Sequence, residues 1–303
     1  MSCQTPAWRQ SSTALLRSHE PHNLFSAALA HPNLHQAAVL VLKDAAAPSS
    51  ITCILTKQQV VNGMLLYMKQ HGQKASSISL EGSSTANSVT LRELPVPHRN
   101  LQRLSSLNLS RLSLHLSSSR SDDPGAEAAV GVLGGGVPLK QLKLDTCWLR
   151  DGLNGLTAAL PRLHKLERLS LVNTIPYYSF RLSSAKWRFF DVPQRSPMLQ
   201  HLTFLEIEGV GFPGGQDLQG LTGLQDLRLV STPSQNPFDY DRMVDTIHAS
   251  TLAGMHHLTR LQVNIQGPLK LGSSGFDAGA LQRKTLLQHL HVSVRDTSWC
   301  ECA

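Results

Sequence analysis

The sequence predicts an α/β solenoid in which short parallel strands stack from one repeat to the next. Leucine occurs 50 times in 303 residues, far above its usual share. Many of these leucines recur in one spacing, L-x-x-L-x-L, and the residue between the last two apolar positions is polar in every clear copy. One apolar residue type at one repeated spacing indicates a packing position that recurs in each structural repeat.

Eight clear units share this spacing, and a ninth, fainter copy is "AAVLVLKDA" from Ala37. The distances between successive first positions are 29, 35, 27, 36, 22, 34 and 29 residues, so the longer units leave room for a helix opposite the strand. The eight units begin at Ala75, Leu104, Leu139, Leu166, Leu202, Leu224, Leu258 and Leu287.

Within each unit, alternation of apolar, polar and apolar residues predicts a strand with one buried face. The fourth and sixth positions are expected to point into the core and the fifth to point outward. One short strand cannot bury such a face, whereas parallel stacking makes a continuous apolar column. The outward residues of the clear units are Ser79, Asn108, Lys143, Ser170, Glu206, Arg228, Gln262 and His291.

The unit from Leu139 carries the most complete motif: Leu139, Leu142, Leu144, Cys147 and Leu149 form L-x-x-L-x-L-x-x-C-x-L. This motif resembles leucine-rich repeats, and the cysteine resembles the cysteine-containing subclass found in F-box/LRR proteins. The resemblance implies a horseshoe with a parallel strand face and irregular convex helices and loops. It also implies that Cys147 is a small residue at the repeat turn. Because no basic residue adjoins it, we expect its thiol to be unreactive.

The predicted organisation has three parts. Residues 1–35 form a flexible or capping segment, and residues 36–74 form a degenerate first repeat or cap. Residues 75–303 form an array of about eight units with insertions at 115–138, 172–198 and 231–250. Convex helices are indicated by stretches such as "DGLNGLTAALPRLHKL", in which Leu153, Leu156, Leu160 and Leu163 recur at helical spacing.

Composition limits the cellular context. Five cysteines at irregular spacings do not form a disulfide framework or a structural zinc motif, which favours a reducing interior. No run of about 18 apolar residues predicts a membrane span. We therefore expect an intracellular, cytoplasmic protein that does not contact a membrane, with organellar import and cytoskeletal or ciliary association left open.

The sequence contains no catalytic motif such as a phosphate-binding loop or a nucleophile elbow. His289 and His291 share a strand face and, with Cys300 and Cys302, supply four residues of zinc-ligand type, but neither the histidine pair nor the C-x-C pair is specific for metal. We predict a protein that is not an enzyme and that has no cofactor and no metal.

Two surfaces are predicted to bind a protein partner. The first is the concave strand face, through Asn108, Lys143, Ser170, Glu206, Arg228, Gln262 and His291. Its charges are mixed in sign, which disfavours nucleic acid although the formal net charge is +7. The second is the 172–198 insertion, which is either an aromatic and basic binding knob or a packed satellite core. Its candidate residues are Tyr177, Tyr178, Phe180, Arg181, Trp187 and Arg188.

These observations predict a monomeric, non-catalytic protein–protein interaction module. The alternative is a substrate-recognition subunit of an F-box type cullin ubiquitin ligase whose F-box is truncated or missing. The sequence shows no F-box helices before the repeats, and "CQTPAW" at residues 3–8 is the one stretch that resembles the end of an F-box.

Overall fold

A computed structural model describes residues 50–55, 75–82, 89–91, 102–114, 133, 137–149, 156, 159–176, 200–209, 218, 220–231, 252, 254–266, 281 and 284–295. The segment 1–35, the faint repeat copy from Ala37 and almost all of the three predicted insertions lie outside these residues. No helix in the described parts of the chain is long and apolar enough to cross a membrane.

The described chain is built from thirteen strands that form two parallel sheets. The strands are β1 (Ser50–Leu55), β2 (Ser77–Gly82), β3 (Thr90–Leu91), β4 (Ser106–Ser110), β5 (Ser113–Leu114), β6 (Gln141–Asp145), β7 (Trp148–Leu149), β8 (Arg168–Val172), β9 (Ile175–Pro176), β10 (Phe204–Gly209), β11 (Asp226–Ser231), β12 (Arg260–Gln266) and β13 (His289–Arg295).

The main sheet has nine parallel strands in the order β1-β2-β4-β6-β8-β10-β11-β12-β13. Each strand therefore pairs with the next strand of the repeat series, as in a solenoid. The register joins Asn108 to Lys143 and Arg228 to Gln262, so the polar fifth positions of the units are aligned. The predicted parallel strand face is confirmed, whereas the horseshoe curvature stays a prediction.

Strand β1, "SITCIL", does not follow the leucine spacing. It pairs in register with β2, with Ile51 opposite Ile78 and Cys53 opposite Leu80. Its departures from the spacing lie at the two ends of the motif: Pro48 stands at the first position and Cys53 at the last, where leucine is expected.

The core is the inward column of the main sheet together with the leucines of the turns that approach it. Inward residues from Ile78 to Val263 are between 0 and 2% exposed, and each contributes roughly 1.5 to 3 kcal/mol of burial energy. At β13 the inward side chains are no longer covered: Leu290 is 49% and Val292 is 37% exposed. A solenoid side chain is covered by the repeats on both sides of it, and β13 is the last strand of the sheet.

In four of the units as described, two successive turns, each closed by a hydrogen bond between residues three apart, bring the chain into the strand. In the first of them, Leu163 N–H donates to Leu160 O and Leu166 N–H donates to Leu163 O, at 3.0 and 2.9 Å. The described end of the predicted convex helix is therefore a 3-10 helix, Leu160–Arg162, and most of the stretch before it lies outside the described residues.

The last of these turns contains a buried lysine where the others have leucine or methionine. Lys284 is 8% exposed and takes the place of Leu163 and Met255 in the turn pattern. Its ammonium donates to Leu252 O and to Met255 O of the preceding repeat, the second at 3.2 Å. Burial lowers the pKa of Lys284. The two carbonyl contacts compensate the charge for part of its lost hydration.

A second parallel sheet follows the main one in four repeats and has the order β3-β5-β7-β9. Its strands are two residues long, and they align Leu91, Leu114 and Leu149. Leu149 is the last leucine of the motif read from the sequence, and its side chain is fully buried. This sheet was not predicted, because two-residue strands have too few positions to show an alternation.

Candidate binding surface

The candidate site is the outward side of the main sheet, which we call the strand face. The seven residues predicted to bind here lie in one register row that crosses β4 to β13. Their exposure differs: Lys143 and His291 are exposed, and Ser170 is buried at 7%. The other predicted residues of the row, Asn108, Glu206, Arg228 and Gln262, are half-buried.

The first part of the strand face consists mainly of small polar side chains, with Glu81 as a charged residue that pairs with Arg111 at 2.9 Å. Ser77, Ser79, Ser106, Asn108 and Ser110 lie side by side on β2 and β4. Asn108 Nδ2 donates to Ser79 Oγ at 3.1 Å, which joins two neighbouring repeats through their side chains. This region presents hydroxyl and amide groups to a ligand and few charges.

The centre of the strand face is organised around Phe204, an aromatic residue at an outward position. Arg168 Cζ lies 4.1 Å and Arg228 Cζ lies 5.1 Å from the centroid of its ring. The two guanidinium groups come from the strands on either side, and Phe204 is only 6% exposed. Cation–π attraction and ring burial hold both arginines over the sheet. The sequence placed Phe204 on this face, but the pattern contained no signal for the stack.

An ion-pair network extends from this stack toward β12. Arg228 contacts Asp226 at 3.3 Å and Glu206 at 3.8 Å, and Arg260 contacts Asp226 at 3.8 Å. Ser170 Oγ donates to Glu206 Oε2 at 2.5 Å, which gives the buried hydroxyl a hydrogen-bond partner. Ion pairs that remain partly exposed contribute only about 0 to 1 kcal/mol each to stability. Their main effect is to fix where charge lies on the face.

Cys147 lies at the repeat turn after β6, on the inner side of the solenoid. Its side chain is fully buried, and its thiol donates to Leu109 O at 3.2 Å and lies 3.5 Å from Asp145 O. Thr174 makes the same pair of contacts one repeat later, with Leu144 O and Val172 O, both at 3.1 Å. The turn therefore requires a small side chain that donates a hydrogen bond, and a threonine hydroxyl can take the place of the cysteine thiol.

The residue that follows the main strand has a left-handed backbone at three successive repeat turns, and at two of them it precedes the donors Cys147 and Thr174. The φ angles are 54° at Arg111, 54° at Thr146 and 46° at Asn173. Such angles favour glycine, and a β-branched threonine is an uncommon occupant. Each amide donates to a carbonyl at or near the end of the next main strand: Arg111 to Asp145 O at 2.9 Å, Thr146 to Val172 O at 2.7 Å and Asn173 to Glu208 O at 2.7 Å. These hydrogen bonds hold the strained turns in place.

We expect Cys147 to resist alkylation in the folded protein. Burial raises the pKa of its thiol to about 11, so only about one molecule in a thousand carries the thiolate at pH 8. Iodoacetamide treatment followed by peptide mass spectrometry should leave Cys147 unmodified under native conditions and modify it in urea. Rapid native labelling would contradict the buried placement.

The same thiol makes a pH prediction with a defined sign. The folded pKa of about 11 exceeds the value of 9.0 for a free thiol, so the unfolded chain loses its proton first. The free energy of unfolding should therefore fall between pH 9 and 11, by about 3 kcal/mol in all. Cys147→Thr is the control, because it keeps the turn donor and should lack this part of the fall.

The other predicted sites lie largely outside the described residues. This holds for all six candidates of the 172–198 insertion, Tyr177, Tyr178, Phe180, Arg181, Trp187 and Arg188, and for Cys300 and Cys302. Where side chains are described, no three His, Cys, Asp or Glu residues are grouped as metal ligands. The roles predicted for these residues stay predictions.

Comparison with known proteins finds similarity to seven chains of solved structures. No protein-family model matches the chain, and no curated protein matches it. Among solved structures, an internalin (inlF) from Listeria monocytogenes str. 4b F2365 is similar at 16% sequence identity and a TM-score of 0.26, covering 80% of this chain and 79% of that one. The description of the fold rests on the strand register of this chain itself.

Proposed function

We propose that the protein is a non-catalytic interaction module that binds a protein partner on its strand face and inserted loops. The observation that carries the proposal is the row of polar and charged side chains that crosses the main sheet from Ser79 to His291 in register. A continuous surface of this kind suits an extended or helical segment of another protein. We further propose that it acts as a monomer inside the cell.

Contacts within the protein already hold charged side chains of the strand face in place, and this supports the proposal. Binding normally loses free energy when side chains become fixed, by about 0.5 to 1.5 kcal/mol for each long one. Here Arg228 is held by Asp226, Glu206 and the Phe204 ring before any partner arrives. Arginine is also among the residue types that contribute most to protein interfaces.

The signs of the charges favour a protein over a nucleic acid. Glu206, Glu208 and Asp226 lie on β10 and β11 in the middle of the face. A phosphate backbone crossing this region would meet three carboxylates, whereas a protein surface supplies both signs of charge.

The proposal is tested by proximity labelling with two matched triple variants. The first variant changes the strand face and combines Lys143→Ala, Gln262→Ala and His291→Ala. The second changes three exposed polar residues in and just after the 3-10 helix Leu160–Arg162 and combines Arg162→Ala, His164→Ala and Lys165→Ala. We expect the first set to reduce labelling of specific partners about tenfold or more and the second to leave it unchanged. Equal labelling by wild type and both variants would overturn the proposal.

The insertion is tested in the same assay by replacing Tyr177, Tyr178, Trp187 and Arg188 with alanine. Loss of partners from a protein that still folds supports the binding knob. Loss of folding supports the satellite core. Circular dichroism of the purified variant separates the two outcomes.

The F-box type substrate receptor remains the alternative function. Its sequence argument is the cysteine of the Leu139 unit, and Thr174 makes the same turn contacts as that cysteine. The cysteine is therefore a weak marker of a subclass, and this function stays a prediction.

A further inference from the structure

Among the described side chains, two charged groups on the strand face lack an oppositely charged neighbour. Arg168 begins β8, is exposed, and contacts the Phe204 ring but no carboxylate within ion-pairing distance among the described side chains. Glu208 lies near the end of β10, is half-buried, and likewise has no described cation within that distance. One is a cation and the other an anion.

The neighbouring charges are already neutralised. Lys140 pairs with Glu167 at 2.7 Å, and Lys143 contacts Asp145 at 3.6 Å. Arg228 and Arg260 share Asp226, and Glu206 accepts from Ser170 and pairs with Arg228. Within the described centre of the face, Arg168 and Glu208 are therefore the charges that a partner must satisfy.

The register sets the distance between them. Arg168 is the partner of Phe204 in the pairing of β8 with β10, and Glu208 is four residues farther along β10. Four residues of strand span about 13 Å and adjacent strands are about 5 Å apart, so the two positions are about 14 Å apart. An extended peptide lying along the strands spans nearly the same distance in four residues.

The surroundings of each charge indicate what it would bind. The guanidinium of Arg168 lies over an aromatic ring, which supplies no hydrogen-bond acceptor, so its N–H groups can bind a carboxylate in a two-pronged geometry. Glu208 lies in register between Val172 and Val230. A partner that covers these valines removes water from the carboxylate and must replace it with a cation, because a buried unpaired charge is strongly unfavourable.

We propose that the strand face binds an extended segment of its partner. This segment carries an acidic side chain that pairs with Arg168 and, four residues away, a basic side chain that pairs with Glu208. This proposal rests on the proposed function and specifies the partner for the same surface. Because the two charges differ in sign, they also set the direction in which the segment lies. A reversed segment would bring like charges together at both positions.

The test is selection from a random twelve-residue peptide library displayed on phage, with the full-length chain as bait. Wild type should enrich peptides with Asp or Glu four residues from Lys or Arg. Arg168→Glu should lose the preference for the acid, and Glu208→Lys the preference for the base. The control is Arg162→Glu, which makes the same charge reversal in the 3-10 helix Leu160–Arg162. It should enrich the same peptides as wild type.

A charge exchange separates recognition from a structural effect. A selected peptide should bind Arg168→Glu about tenfold or more weakly than wild type, and replacing its acid by lysine should restore binding. Arg168→Gln should weaken binding without this rescue, and it serves as the second variant if Arg168→Glu unfolds.

Either of two results would overturn the inference. One is wild-type selection with no acid and base pair, and the other is an unchanged pattern in both face variants. The proposed function would survive these results if the triple variant of Lys143, Gln262 and His291 still lost its partners in proximity labelling. It would fail only if that labelling were unchanged.

Discussion

Replacing Leu142 with alanine is expected to lower the free energy of unfolding by about 2 to 5 kcal/mol. Leu142 is 1% exposed and lies in register between Leu107 and Leu169, so the truncation leaves a cavity closed by the repeats on both sides. Because each repeat is stable only against its neighbours, the loss should affect the whole array. Urea denaturation followed by circular dichroism measures it.

Leu290 provides a control at the same register position. It occupies in β13 the place that Leu142 occupies in β6, but it is 49% exposed. Leu290→Ala should therefore cost only about 1 kcal/mol, because roughly half of the side chain is already in water. A loss as large as that of Leu142→Ala would show that the core continues past β13.

Replacing Gly82 with alanine is expected to destabilise the protein by about 3 kcal/mol or more. A Cβ added at Gly82 would lie 2.0 Å from the carbonyl oxygen of Arg111, which belongs to the backbone of the next repeat turn and cannot move alone. Elsewhere, Gly→Ala at a compatible site stabilises by about 0.4 to 1 kcal/mol. Thermal and urea unfolding of the variant measure the sign directly.

The matched control is the reverse kind of change, from a larger residue to glycine, at the equivalent position of another repeat turn. Thr146 is two repeats along the register from Gly82 and has a φ angle of 54°. Thr146→Gly removes a side chain from a left-handed backbone, so it should change stability by no more than about 1 kcal/mol. If Gly82→Ala proved as stable as wild type, the close approach of the two turns would be wrong.

The register of the strand face could be predicted because it depends on local alternation. Polar residues such as Lys143 and Arg228 stand between two leucines, and that pattern alone assigns them to the outer side of a strand. Strand β1 could not be predicted in this way. Pro48 and Cys53 stand at the motif positions where leucine is expected, and the strand is assigned from its pairing with β2.

The chemistry of the face depended on neighbours that are distant in sequence. Arg168 and Phe204 are 36 residues apart, and only the pairing of β8 with β10 brings the guanidinium over the ring. The same pairing buries Ser170 beside Glu206, although its position in the pattern predicted an outward residue in contact with water. Outward residues therefore differ in availability for reasons that no single repeat contains.

The sequence by itself determined that this protein stacks parallel strands and which side chains face outward, because both follow from a two-residue period repeated in every unit. The tertiary structure decided which outward charges are already paired. It also decided that Thr174 donates at its turn as Cys147 does one repeat earlier, and that the inward side chains of β13 are exposed. These properties depend on contacts between repeats, and contacts of that kind form only when the chain has folded.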